Sequence, residues 1–514
     1  MANYVMGIDI GTTGTKSMVV DLSGNILGKS YREYPLKYPV WNQVEIDADY
    51  LIEQVFDTVK EAIQNSKVPA QDIKAISFSV QRATFVMLDE NLEPIENRFY
   101  VWLDNRAEED MAEIATLIDP HRQAHIAGLP TSCTYTVEKV YWIKKHTPEI
   151  YNKTKYIALV DTYAMHKFGS DEIVAEVTNQ MVGGMIDAKT FQWSDEILDA
   201  YGIDKNKLPP LVDPCTIVGK IKEDVSKRTG LAVGTLIVAG SGDQQAAAMG
   251  AGVTEDGSMS LTLGTVGELV VGLAKPDFVK LEGLQIPSTP NKGVFEIEGN
   301  QLSGATCYRW ARDVLCPTEV ALADAMGVNA YDLMGNYVRK SKPGCNGVVF
   351  YSGIFGTGYP NWNIKATGVY VGLKSSNTRA DMVRAVMEGV TLESRNIYES
   401  IKATGVTMND EITVTGGAIN SPEWRQIIAD VMGCKLKILK VSDAAIIGVA
   451  IVAAYAAGLI SSLAEGVENM VQVVDTVDPI PENVEFYNKL LPIYQDVYHG
   501  LNDKKIFDRL AQLS

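Results

Sequence analysis

Histidine is scarce in this sequence, five residues in 514, and the six cysteines, Cys133, Cys215, Cys307, Cys316, Cys345 and Cys434, are scattered without a C-x-x-C pair. That pattern argues against a zinc site or a disulfide framework and suits reduced thiols. Positive charge is also short. Against 64 Asp plus Glu stand 46 Lys plus Arg, a formal net charge of −18, and no basic cluster stands out. Nucleic acid and membrane are therefore not expected as partners. Long apolar runs are missing except for one stretch, uncharged from Ala444 to Ile460. It is short for a membrane span, rich in Ala and Gly, and preceded by Asp443 as a cap. A helix buried between a sheet and its neighbours is expected there. The opening MANYVMGIDIG has no basic region and runs directly into a strand pattern, so no secretory leader is expected and the cytoplasm is the expected compartment.

What is present is ordinary globular chemistry, with 46% hydrophobic and 21% charged residues. The length exceeds what one core usually serves, so two large domains or three ordinary ones are expected. Short β-branched runs alternate with helical patterns, the signature of an α/β fold. Strands are expected at 5–10, 17–21, 73–80, 84–88, 157–160, 236–239, 258–263, 269–272 and 412–415. Helices are expected at 48–65, 106–117, 137–145, 379–403 and 422–433. The last carries Ser421 as N-cap, Pro422 at the first helical position and Gly433 past its end. Beyond Pro479, Tyr487, Leu490, Leu491, Tyr494 and Tyr498 form a helical stripe, read as a helix docked on the second domain.

A weak internal repeat organises the chain. A strand ends in Gly11-Thr12-Thr13-Gly14 and another strand follows; about half the chain later the same plan recurs around Gly264-Thr265-Val266-Gly267. The boundary is placed near Val253 to Gly257, giving domains 1–253 and 254–514.

Three segments carry chemistry. In GIDIGTTGTK, residues 7–16, a tight turn exposes backbone N–H groups and hydroxyls, and Lys16 adds a cation, a combination suited to phosphate oxygens. The P-loop spacing is absent and a strand follows where a P-loop needs a helix. Asp9, a carboxylate inside an apolar strand, calls for a partner such as hydrated Mg²⁺. In LIVAGSGDQQAAAMGAG, residues 236–252, a strand ends in Gly240-Ser241-Gly242, and Asp243 stands where a helix begins, ionised and able to accept a hydroxyl proton. Capping the helix is the plainer reading of Asp243. A dinucleotide fingerprint is rejected, because Gln245 occupies the place of its third glycine. The third segment, Thr415-Gly416-Gly417-Ala418-Ile419-Asn420, lets backbone approach a base or phosphate closely.

In this order the segments resemble the FGGY carbohydrate kinase family. VWLDNRA at 101–107 is similar to its W-x-D-x-R-A segment, EKVYWIKKHTPEIY follows in register, LTLGTVGE resembles its second phosphate loop, and Gly368 to Gly389 fits its C-terminal signature. The likeness covers nearly the whole chain. It implies two actin-like, ribonuclease H-like domains of the sugar-kinase type with a cleft between them, sugar mainly on the N-terminal side and MgATP mainly on the C-terminal side. By the same resemblance Asp243 becomes the general base and Asp9 organises Mg²⁺ largely through water. Gly11, Thr12, Thr13, Thr15, Lys16, Gly264, Thr265, Gly416, Gly417 and Asn420 become the nucleotide contacts. Gln81, Arg82, Trp102, Asp104, Arg106 and Gln244 would face the substrate. Around Gln81 xylulokinases typically read Gln-Met-His-Gly and glycerol kinases Asn-Gln-Arg-Glu, whereas this chain has Val80-Gln81-Arg82-Ala83, so neither substrate is secured. The resemblance implies phosphoryl transfer from ATP to a sugar or polyol, first a ketopentose such as xylulose, with glycerol, other polyols, gluconate or a dihydroxy-ketone signal as alternatives. An actin-like ATP-driven switch is the rival from another class. A homodimer is compatible with the sequence, which does not fix the oligomeric state.

Overall fold

Met6, Ile8 and Ile10 are fully buried, and so is Val5 on the opposite side of the same strand, because β1 (Tyr4–Ile10) is covered on both faces. The computed structural model describes Asn3 to Leu513. On one face of β1, Met6, Ile8 and Ile10 join Leu51, Val55 and Val59 of helix Ala48–Ser66 in a single apolar cluster. On the other lies helix Ala444–Ala456, so close that a Cβ on Gly7 would stand 2.8 Å from the Ile446 carbonyl oxygen.

β1 is the middle of a six-stranded sheet with β2 (Gly14–Asp21), β3 (Ile26–Glu33), β4 (Ile73–Val80), β5 (Ile217–Lys220) and β6 (Leu236–Gly242), in the order β3-β2-β1-β4-β6-β5. The β1–β2, β2–β3 and β5–β6 pairs are antiparallel, while β1–β4 and β4–β6 are parallel. The second half builds its own six-stranded sheet from β7 (Met259–Leu263), β8 (Gly267–Leu273), β9 (Phe295–Gln301), β10 (Glu411–Thr415), β11 (Lys435–Leu439) and β12 (Val473–Val477), in the order β9-β8-β7-β10-β11-β12. Here β7–β8 is antiparallel, β7–β10 and β10–β11 are parallel, and β12 closes antiparallel. Both GT-x-G loops thus join the same two positions of equivalent sheets. The copies differ at the far edge, where β5 precedes its neighbour in the chain and β12 follows it.

Two compact units result. The first contains the chain through Glu255, Leu273–Glu296 and Asp443–Gln472; the second contains Asp256–Gly272, Ile297–Ser442 and the chain from Val473 onward. Within the first, the Leu273–Glu296 excursion is tied down by Glu282, whose carboxylate bonds His121 and, at 2.8 Å, His125. A four-stranded antiparallel sheet, Glu45–Asp47, Pro94–Tyr100, Phe85–Leu88 and Tyr156–Leu159, carries the W-x-D-x-R segment at its end.

The apolar run from Ala444 forms a helix buried nearly all round, packed against the sheet and against helix Asp243–Gly250. A Cβ on Gly448 would stand 1.9 Å from the Ala246 carbonyl oxygen, and one on Gly250 1.9 Å from that of Ala444. Burial on every side explains the absence of charge. No described helix is long and apolar enough to cross a membrane.

In the second unit the stretch from Asp381 to Gly389 lies in helix Arg379–Ala403. Asp381 closes a capping box with Thr378, and a Cβ on Gly389 would stand 2.0 Å from the Phe350 carbonyl oxygen. Glu388 is buried and accepts bonds from Arg384 Nε at 2.6 Å, Tyr487 Oη at 2.8 Å and Gly344 N at 3.0 Å. These contacts dock helix Pro481–Asp503, on which Tyr487, Leu491, Tyr494 and Tyr498 are the buried positions. Residues 106–117, expected as one helix, divide into a 3-10 turn Arg106–Asp110 and helix Met111–Leu117. The reason is that Asp104 Oδ1 takes the Arg106 backbone N–H at 3.0 Å and its Nε at 2.8 Å, binding the first turn to the preceding loop.

Candidate active site

The first loop is braced from below. Gly11 N donates to Gly14 O at 3.0 Å, closing the turn, and the buried Tyr34 hydroxyl reaches the carbonyls of Gly11 and Gly14. At position 14 only glycine fits, since a Cβ would stand 2.6 Å from the Arg32 carbonyl oxygen. The hydroxyl of Thr15 is turned inward, donating to the Asp9 carbonyl at 2.9 Å, and the residue is buried. Thr13 is exposed and Thr12 half-buried at the tip.

Gln81 and Trp102 close a ring of hydrogen bonds around this loop. Gln81 Nε2 donates to Gly11 O at 3.1 Å, and the Thr84 hydroxyl donates to Gln81 Oε1 at 3.1 Å. Trp102 N donates to Thr84 Oγ1 at 3.1 Å, and Trp102 Nε1 to Thr12 Oγ1 at 2.8 Å. Gln81 is buried, while the Trp102 ring keeps an exposed face. Thr84 had no signal in the sequence beyond its place in a strand.

Asp9 faces Ser79 across β4, whose hydroxyl donates to Asp9 Oδ1 at 2.7 Å. On its other side its cross-strand partner is Lys16. Burial raises the Asp9 pKa, against the Ser79 bond and the Lys16 charge, which lower it. A half-buried carboxylate that holds one hydroxyl donor is donor chemistry that fits a Mg²⁺ keeping most of its waters. Lys16 pairs with Asp443. Asp443 stands at the N-cap of its helix, as expected, but its side chain makes no capping bond because the ammonium claims it.

Asp243 sits at the junction of β6 and helix Asp243–Gly250. Its Oδ1 accepts Gln244 N at 2.9 Å and lies 3.6 Å from Arg82 Nε. The carboxylate is about one-third exposed, 34%, beside the half-buried Arg82. Gly242 makes room for this pairing, for a Cβ there would stand 2.7 Å from Arg82 Cγ. Next to Arg82, Ala83 adopts a left-handed φ of 51°, a conformation that costs a non-glycine residue energy and marks the turn as tightly held. Gln244 is half-buried beside the carboxylate, whereas Gln245 is buried, donating to Thr178 O at 2.7 Å.

Asp104 and Arg106 lie inside the protein. Asp104 is fully buried; its Oδ2 accepts Val44 N at 2.7 Å and Arg106 Nη2 at 2.9 Å. Arg106 also bonds Glu45 Oε1 at 2.9 Å and stacks under Tyr100, 4.5 Å from its ring centre. Between them they hold the strand ends from which Trp102 projects.

The second unit repeats the loop. Ala305 N donates to Gly264 O at 2.7 Å, and Gly304 N and the Thr306 hydroxyl donate to Thr265 O at 3.2 and 2.8 Å. Thr265 is exposed at the tip. Gly416, with φ 88°, lies against this loop: a Cβ there would stand 2.5 Å from the Leu263 carbonyl oxygen. Across the strands the hydroxyls of Thr262 and Thr415 are 2.9 Å apart. Gly417 opens onto free space, and Asn420 is exposed at the end of a 3-10 turn. Ser421 caps helix Pro422–Met432 by accepting Trp424 N at 3.3 Å. Ser421→Ala is expected to lower the stability of this unit by about 1 kcal/mol, read from thermal unfolding followed by circular dichroism.

The sequence pattern of the FGGY family of carbohydrate kinases, N-terminal domain, matches residues 4–250, and that of its C-terminal domain matches residues 259–457. A gluconokinase of Bacillus licheniformis is 27% identical over 98% of this chain and 97% of its own. A xylulose kinase of Bacillus subtilis is 25% identical over 97% of each chain. The crystal structure of a ligand-bound xylulose kinase from Lactobacillus acidophilus superposes with a TM-score of 0.87 at 23% identity, covering 97% of this chain and 98% of that one. Both domain patterns belong to carbohydrate kinases, and with them the ATP-driven switch reading gives way to an enzyme that phosphorylates an alcohol group. The chain belongs to the FGGY family of carbohydrate kinases.

Proposed function

We propose that the protein transfers the γ-phosphoryl group of ATP to a hydroxyl of a small sugar, in the first place a ketopentose such as xylulose, with Asp243 as general base. The observation that carries this is the partly exposed carboxylate at the junction of β6 and its helix, 3.6 Å from Arg82 Nε. The acceptor oxygen forms its bond to the γ-phosphorus as the bond to the β-phosphate oxygen breaks; the hydroxyl proton passes to Asp243 and ADP leaves. Thr12 and Thr13 in the first unit, and Thr265, Gly416, Gly417 and Asn420 in the second, supply the hydroxyls, amides and open backbone that suit nucleotide and phosphates. Lys16, the cation of the first loop, is held by Asp443 and not aimed at the phosphates. Mg²⁺, when bound near Asp9, neutralises charge on the phosphate oxygens. Gln81, Asp104 and Arg106 act from behind, holding the loop and the Trp102 strand. Six free thiols, four of them buried, support the cytoplasm as compartment.

Arg82 favours a second reading of the acceptor. A guanidinium beside the base suits a carboxylate, which it can bind through two parallel bonds, so a sugar acid such as gluconate is the alternative. An ADP-release assay over xylulose, other pentoses, polyols, glycerol and gluconate decides. Turnover with a ketopentose supports the first reading, turnover with gluconate the second, and ADP appearing at one rate with or without any sugar would sink both.

A further inference from the structure

Asp443 has no part in the reaction as described, yet its carboxylate reaches the lysine of the first loop. Lys16 and Asp9 oppose each other on β2 and β1, on the face of the sheet over which helix Ala444–Ala456 lies at Gly7. Side chains so opposed leave the backbone about 5 Å apart at Cβ, within easy reach of an ion pair. The ammonium bonds Asp443 instead, and Asp9 takes the hydroxyl of Ser79 at 2.7 Å. One carboxylate therefore occupies the ammonium while the other keeps a neutral partner. With Asp443 removed, Asp9 becomes the anion nearest to Lys16, and any metal ion would have to displace the ammonium from it.

We propose that Asp443 is a positioning residue that acts through Lys16 to keep the Asp9 carboxylate available to the hydrated Mg²⁺ accompanying the nucleotide. This rests on the kinase reading above. Calorimetric titration of the full-length protein with ADP, with and without Mg²⁺, tests it. Wild-type protein is expected to bind ADP more tightly with the metal. Asp443→Asn should lose about tenfold or more of that magnesium advantage, the scale seen when a group orienting a metal ligand is removed. Metal-free ADP affinity should stay unchanged, and Asp443→Glu should restore the advantage. In a Lys16→Met background, adding Asp443→Asn should change nothing further, because the two residues act as one pair. The inference is overturned if Asp443→Asn keeps the wild-type magnesium advantage, if it weakens ADP equally with and without metal, or if its effect persists in Lys16→Met. Wild-type protein that binds no ADP under either condition would overturn the kinase reading and this inference together.

Discussion

Asp243→Asn is expected to cut sugar-dependent ADP release by about 10²-fold or more, the usual contribution of a positioned general base. The substitution keeps the shape of the side chain, and an amide oxygen can still accept Gln244 N where Oδ1 does at 2.9 Å. What it removes is the ability to take a proton from the acceptor hydroxyl. The loss should therefore fall on kcat, with ADP affinity at the wild-type level, since Thr265, Gly416 and Gly417 lie in the other unit. A coupled assay with the sugar identified by the substrate panel, paired with calorimetric ADP binding, separates the two. If kcat survives the substitution, the base is another group; if ADP affinity falls in step with kcat, Asp243 holds the site together and has no proton to take.

Arg106→Ala is expected to cost about 3–5 kcal/mol of stability, because it strands buried carboxylates. The Arg106 side chain is 2% exposed and that of Asp104 0%, and Glu45 shares the same guanidinium. The lost stacking on Tyr100 and Trp142 adds to the penalty. Thermal unfolding should shift well below wild type and soluble yield should fall. Were Arg106 a substrate contact, the variant would instead fold normally and show a raised sugar KM.

These two cases mark what was legible in the sequence. The sequence predicts Ile73–Val80 and Arg379–Ala403 to the residue, because a short β-branched run and a long helical pattern leave few alternatives. The repeat of the GT-x-G loop was legible too, and the matching sheets explain it. The direction in which loop side chains point was not. Thr15 sits in a phosphate-suited turn yet bonds inward to the Asp9 carbonyl. The resemblance places Gln81 at the substrate, yet its amide is occupied by Gly11 and Thr84. The partner of Lys16 is 427 positions away, and such a pairing leaves no mark on local periodicity. Only packing of the whole chain reveals it.

The helix that covers β1 at Gly7 is supplied by residues near 446. A ribosome making roughly 5–20 residues per second therefore releases the first strand tens of seconds before the helix that shields it. During that interval the face of the nascent sheet at Gly7 is bare, and Gly7, which allows the later close fit of the helix, has no side chain of its own to cover it. Until the helix Ala444–Ala456 has been made, such a surface is the kind of transiently exposed apolar patch that chaperones shield. A fragment ending at Glu255 would carry the same bare face permanently, and would be recovered bound to chaperone or aggregated.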